Sequence, residues 1–191
     1  QITVYSSDDG INAAGGSDTT STERGPWGSS STGTLNISGG TLYINANGDG
    51  LDSNGSIYVT GGLVIVEGPT GNDNGALDKG DGSGCVASIT GGTVLAIGTT
   101  DMAINFNDGT QCAALVTISG SAGDTITVDD GSSFTFTCSK SFSCAVYSSP
   151  SLSQGSSYTI STGSSSATMD FSSGLYCSQV QGQFGGGGPR R

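Results

Sequence analysis

The sequence predicts an all-β chain wound as a parallel β-helix (a β-solenoid) and finished by a C-terminal β segment. Three observations carry this expectation. A short phrase recurs four times, an Asp or Asn followed by an Ile or Leu and then another Asp or Asn: Asp9-Gly10-Ile11-Asn12, Asp49-Gly50-Leu51-Asp52, Asn74-Gly75-Ala76-Leu77-Asp78 and Asp101-Met102-Ala103-Ile104-Asn105. Strand-like alternations run between the phrases, and three strands open on a double glycine, at Gly39-Gly40, Gly61-Gly62 and Gly91-Gly92. These pairs lie 22 and then 30 residues apart, close to the roughly 20–30 residues that one stacked repeat takes.

The first strand is Ile2-Thr3-Val4. It precedes Leu42-Tyr43-Ile44 by 40 residues, one 22-residue repeat plus an insertion of 18. That insertion, at about residues 15–32, holds Glu23, Arg24, Pro26 and the only tryptophan, Trp27. Solenoid insertions map to loops on one face, often a binding face. Trp27 either faces a ligand there or caps the apolar end of the stack.

Each later repeat reads as strand, Gly-Gly corner, strand, acidic corner. The strands before the glycines are Thr34–Ser38, Ser56–Thr60 and Ala87–Thr90. Side chains alternate faces along a strand, so Leu35, Ile37, Leu42 and Ile44 should point inward. Ile57, Val59, Val64 and Val66 stack on them, then Ala87, Ile89, Val94 and Ala96. Ile11, Leu51, Leu77 and Ile104 add a further inward rung. Glycine suits the corners because stacked chains turning sharply leave little room for a Cβ.

Aligned on those inward residues, the phrases form two columns: Asp9, Asp49, Asn74 and Asp101, and Asn12, Asp52, Asp78 and Asn105. Stacked rungs sit about 4.8 Å apart. Two like charges at that spacing repel by roughly 3 kcal/mol at an effective dielectric near 20. A divalent cation would relieve this, and an all-oxygen donor set without histidine favours calcium over zinc or copper. The alternative is that these are Asx-type corner residues bonding their own backbone, as Asp and Asn do in turns. Asp73, Asp81, Asp108 and the pair Asp129-Asp130 are either additional ligands or solvated loop acids, the latter being the simpler reading.

The chain of 191 residues fits one domain, with repeats over 1–123, a closing β segment over 124–180 and a Gly-rich tail over 181–191. No long apolar run suggests a membrane span. A net charge of −11, with 5 Lys plus Arg, should repel nucleic acid and attract cations. The five cysteines and two sequons, at Asn36 and Asn54, suggest a secreted glycoprotein. The expected disulfides are Cys138–Cys144, across a short hairpin connection, and Cys85–Cys112, about one repeat apart, leaving Cys177 for another chain. A start directly in a strand is what a processed product would show, and Gly-Pro-Arg190-Arg191 suits a dibasic end.

Several of these stretches resemble one known family. They are residues 39–55, then 61–70 and 74–78, and in the tail 139–143, 148–155 and 158–160. Together they are similar to bacterial extracellular carbohydrate-binding domains built as calcium-containing right-handed β-helices of pectin-lyase-like architecture. The resemblance implies a right-handed helix, calcium along it, and binding of acidic polysaccharide, polygalacturonate being the known ligand class. Carried over by position, the calcium ligands would be Asp49, Asp52 and Asp78, then Asp9 and Asp101. Five cysteines, two sequons and the Trp27 insertion depart from the bacterial pattern.

Catalysis is not expected. Histidine is absent, and Lys79, beside Asp78, is the one candidate base, more simply read as a solvated loop lysine. As a binder, the chain would hold an anionic sugar through shared calcium, with Tyr43 and Tyr58 as outward stacking faces or as ordinary strand-surface packing. As a building block, it would present an uncapped β edge to a second copy and stack head to tail into a filament. The sequence favours the secreted acidic-polysaccharide binder, with the filament subunit as the alternative.

Overall fold

The structure, a computed structural model, describes residues 1–13, 33–71 and 74–180. The insertion at 15–32 with Trp27, Asp73 and the tail at 181–191 lie outside the described residues. The chain is all-β, with no helix among the described residues. In order come β1 (Ile2–Ser6), β2 (Ile11–Ala13), β3 (Leu35–Ala46), β4 (Leu51–Ser53), β5 (Ile57–Glu67), β6 (Leu77–Lys79), β7 (Ala87–Gly98) and β8 (Asp108–Gly109). Then follow β9 (Ala113–Gly120), β10 (Thr125–Val128), β11 (Thr135–Thr137), β12 (Phe142–Ser148), β13 (Ser157–Ser161), β14 (Ser166–Asp170) and β15 (Tyr176–Ser178).

The first seven strands alternate between two sheets. β1, β3, β5 and β7 lie side by side and parallel, and β2, β4 and β6 form a separate parallel sheet. Residues at equal positions in the repeat share a rung: Leu42, Val64 and Val94 are neighbours, as are Ile44, Val66 and Ala96. The two strands expected around each glycine pair are one long strand with a register shift at the corner. Its cause is the second glycine, which turns into the left-handed region at Gly40 (φ 80°), Gly62 (95°) and Gly92 (90°). A Cβ on Gly62 would lie 2.8 Å from the Gly40 carbonyl oxygen, and one on Gly92 2.7 Å from that of Gly62.

Beyond β7 the pattern changes. β12 enters antiparallel between β7 and β9, and β15 closes the sheet parallel to β9, giving the order β1-β3-β5-β7-β12-β9-β15. A second, antiparallel sheet, β11-β10-β13-β14, covers the outer face. Two cores result. The inner one joins Leu42, Ile44, Val64, Val66, Val94, Leu51 and Leu77, closed by Ile104 and Phe106. The outer one joins Ile65, Leu95, Ile97 and Tyr147 to Ile126, Ile160, Met169 and Phe171. The runs Leu63–Val66 and Val94–Ile97 are continuously apolar because both their faces are covered.

Candidate functional site

The short parallel sheet builds the acidic ladder. Its register puts Ile11, Leu51 and Leu77 on one rung line and Asn12, Asp52 and Asp78 on the next. Asp9 stands opposite Asp49, since Gly10 N–H donates to the Asp49 carbonyl (2.8 Å). Asp49 in turn stands opposite Gly75, because Gly50 N–H donates to the Gly75 carbonyl (3.0 Å). The extra residue in the third phrase therefore moves Asn74 out of the column in which it was expected.

The first column works as a chain of backbone acceptors. Asp9 Oδ1 accepts the N–H of Asp49 (2.9 Å), and Asp49 Oδ1 accepts the N–H of Gly75 (2.6 Å). Asn12 Nδ2 donates to Asp9 Oδ2 (3.0 Å). Each carboxylate thus bonds the backbone of the next repeat rather than its own turn. In the second column the Asn12 side chain at Asp52 and the Lys79 N–H at Asp78 act in the same sense, but burial and like charge outweigh them. Burial, and then the charges of Asp49 and Asp9, raise the Asp52 carboxyl above its ordinary value. Burial first, with Asp49, Asp52 and Asp81 adding to it, pushes Asp78 up to about 6. Burial likewise raises Asp49, against the lowering effect of the Gly75 N–H.

The fourth phrase ends the ladder. Residues 101–105 form no strand and Asp101 is exposed. Asn105 spends its amide on backbone: Nδ2 donates to the carbonyls of Ala113 (3.2 Å) and Cys177 (2.9 Å), and Oδ1 accepts from Phe106 N–H (2.9 Å). That arrangement seats Ile104 and Phe106 as the plug of the inner core. Neither Asp101 nor Asn105 joins Asp52 and Asp78.

The donor chemistry of the ladder is all-oxygen, as calcium requires. Asp9 and Asp49 are engaged by N–H groups, and among the described residues no three His, Cys, Asp or Glu residues group to hold a metal. Asp52 and Asp78 are adjacent carboxylates on neighbouring strands.

Tyr43 is not an outward stacking face. Its hydroxyl donates to Glu67 Oε2 (2.5 Å), and its ring packs against Tyr5 and Phe136 beneath the second sheet. Tyr58 is half-buried on the outer side of β5, between Asn36 and Ser88 of the neighbouring strands. The sequon residues Asn36 and Asn54 are both exposed. Lys79 donates to the carbonyl of Gly80 (3.2 Å) and borders a cavity of about 350 Å³ walled by Ile104, Phe106, Leu115 and Val180.

The expected disulfides are not formed, and all five cysteines are free thiols. Cys138 and Cys144 belong to different cores, Cys138 outer and Cys144 inner, so the hairpin geometry assumed for them does not exist. Burial pushes each of these thiols up to about 12. Cys112 is buried in the outer core, whereas Cys85 is half-buried beside the Gly80 and Gly82 loop.

Two polar clusters differ from the sequence expectation: Glu67 had no assigned role, and Asp130, expected as a solvated loop acid, is buried. Glu67, fully buried, accepts from Tyr43 and from both the N–H and hydroxyl of Ser139 (2.6 Å each), fastening the turn after β11 onto β5. Asp130 accepts from Tyr147 Oη (2.9 Å), Ser149 Oγ (2.9 Å) and the N–H and hydroxyl of Ser132; these bonds outweigh burial and hold its carboxyl below the usual range. The legible signal for Glu67 was a lone acid closing the apolar run Leu63–Val66. Among the described residues no buried side-chain nitrogen or oxygen lacks a partner. No protein-family model, curated protein or solved structure matches the chain.

Proposed function

We propose that this chain is a secreted, non-catalytic right-handed parallel β-helix that serves as the structural subunit of a glycosylated extracellular filament, copies stacking head to tail. The observation that carries the reading is the edge of β1. Its Ile2 and Tyr5 are 59% and 74% exposed, and among the described residues β1 has a strand neighbour on one side only. Apolar side chains on an unpaired strand edge template another strand, and soluble proteins ordinarily blunt such edges. Exposed Asn36 and Asn54 suit N-linked glycans on the outer surface of such a fibre. Analytical ultracentrifugation with negative-stain imaging tests the reading. Long particles at micromolar concentration are expected, and a compact monomer at every concentration would reject it.

A second reading is binding of acidic polysaccharide through calcium, with Asp52 and Asp78 as the observation in its favour. Two adjacent carboxylates suit an ion whose other oxygens come from the ligand. Binding of polygalacturonate in calcium, abolished by chelator and by Asp52→Asn with Asp78→Asn, is its expected result. Equal binding by that double variant would exclude the ladder.

A further inference from the structure

We infer that the joint between copies is a parallel pairing of β15 of one copy with β1 of the next, an inference that rests on the filament reading above. Strand polarity comes first. β1, β3, β5 and β7 are mutually parallel, β12 is antiparallel to β7, β9 is antiparallel to β12, and β15 is parallel to β9. The two outermost strands of one sheet therefore run in the same direction. Among the described residues each has one strand neighbour, β3 for β1 and β9 for β15. A second copy, placed by a translation along the sheet with whatever twist the sheet carries, meets β15 with β1 in parallel, and the sheet continues across the joint.

The faces match as well. Ile2 and Val4 continue the inner line of Leu42 and Ile44, whereas Tyr5 lies on the outer side against Tyr43. On β15, Tyr176 packs on the inner core and Cys177 on the outer one. Setting Tyr176 opposite Ile2 or Val4, and Cys177 opposite Thr3 or Tyr5, extends both cores at once, while a slip of one residue reverses both. The joint would cover Ile2 and Tyr5, two of the three large hydrophobic side chains left exposed among the described residues. Such a contact is heterologous and does not close on itself, so it yields a fibre rather than a dimer.

Backbone hydrogen bonds identify which residues face the open edges. Ala113 N–H donates to Leu175 and Gln179 N–H to Leu115, so Leu175, Cys177 and Gln179 bond toward β9, and the N–H groups of Tyr176 and Ser178 point outward. Asn47 N–H donates to Ser6, which turns Ile2, Val4 and Ser6 toward β3 and the N–H groups of Thr3 and Tyr5 outward. Seven strands on the sheet path, at about 4.8 Å each, give an axial repeat of about 34 Å per copy.

Thr3→Pro and Ser178→Pro each remove one outward N–H without touching a bond to the neighbouring strand, and Thr3→Ala and Ser178→Ala keep the N–H as controls. Sedimentation and imaging of the full chain should show filaments with the 34 Å repeat for the parent and both Ala controls, and monomers for each Pro variant alone. An equimolar mixture of the two Pro variants should give dimers and nothing longer, because each supplies the edge the other lacks; that result also shows that both fold. Filaments from either Pro variant alone, or a mixture that stays monomeric beside an assembling parent, would overturn this joint while leaving the filament reading intact. A parent that never assembles would overturn both.

Discussion

Asp78 is held at a cost that pH reveals. Its carboxyl has risen from 3.8 to about 6, so between about pH 4 and pH 6 the native state holds a proton that the unfolded chain has released. Native stability should therefore rise as pH falls through 6 and level off near 4. Two units correspond to roughly 3 kcal/mol, which solvent screening of this part-exposed group reduces to about 1–2 kcal/mol. Asp78→Asn should add about that much at pH 7 and flatten the profile, read by urea melts at pH 7 and 4.5; a variant less stable than the parent at pH 7 would contradict the account. Asp130 works in the opposite sense, its lowered carboxyl losing stability only below the ordinary carboxylate range. At the corners, Gly62→Ala and Gly92→Ala meet both a left-handed backbone and a carbonyl of the previous repeat. Each should cost about 3 kcal/mol or more, and Gly40→Ala, which meets no atom within 4 Å, only the 1–2 kcal/mol of its backbone conformation. Equal losses at all three would mean that corner stacking does not matter.

Between neighbouring elements, the Asp9 and Asp49 carboxylates join repeats through backbone N–H groups, which separates the two roles an acidic corner can have. Asp49→Asn keeps an acceptor for Gly75 and removes a charge, so it should be neutral or stabilising, whereas Asp49→Ala should cost about 1–2 kcal/mol. Loss of stability in Asp49→Asn matching that in Asp49→Ala would point to charge, and hence to a cation. Glu67→Ala should cost about 3 kcal/mol by stranding Tyr43 and Ser139, and thermal melts with near-ultraviolet circular dichroism would report loosening of the outer sheet. The sequence made the parallel register legible wherever the repeat was short and local: the lines through Leu42, Val64 and Val94, and through Asn12, Asp52 and Asp78, follow from spacing alone. What it did not reveal depends on distant chain. Tyr43 alternates outward in its strand, yet a sheet contributed by residues 125–170 covers it. Asn74 and Asn105 match the phrase in composition, but one inserted residue and the arrival of β15 change what they face. Cys138 and Cys144 are near in sequence and lie in different cores, a separation set by β12 entering the sheet antiparallel.

At the scale of the whole molecule, an acidic stack with net charge −11 resists association until its charge is screened or neutralised. Assembly should therefore strengthen toward pH 5 and with added salt, by a few-fold in the critical concentration read by light scattering; assembly that weakens under both changes would put attractive ion pairs, rather than apolar edges, at the joint. The order of strands in the large sheet also has a consequence in time. β9 leaves the ribosome before β12, yet β12 occupies the place between it and β7. A nascent chain that has already zipped its first four long-sheet strands must wait for residue 148 before the exposed border at β7, with Val94, Leu95 and Ile97, can be sealed. During that interval the growing polypeptide presents the sticky flank of a half-finished sheet, and the pace of synthesis through this stretch decides how long it stays open to the wrong neighbour.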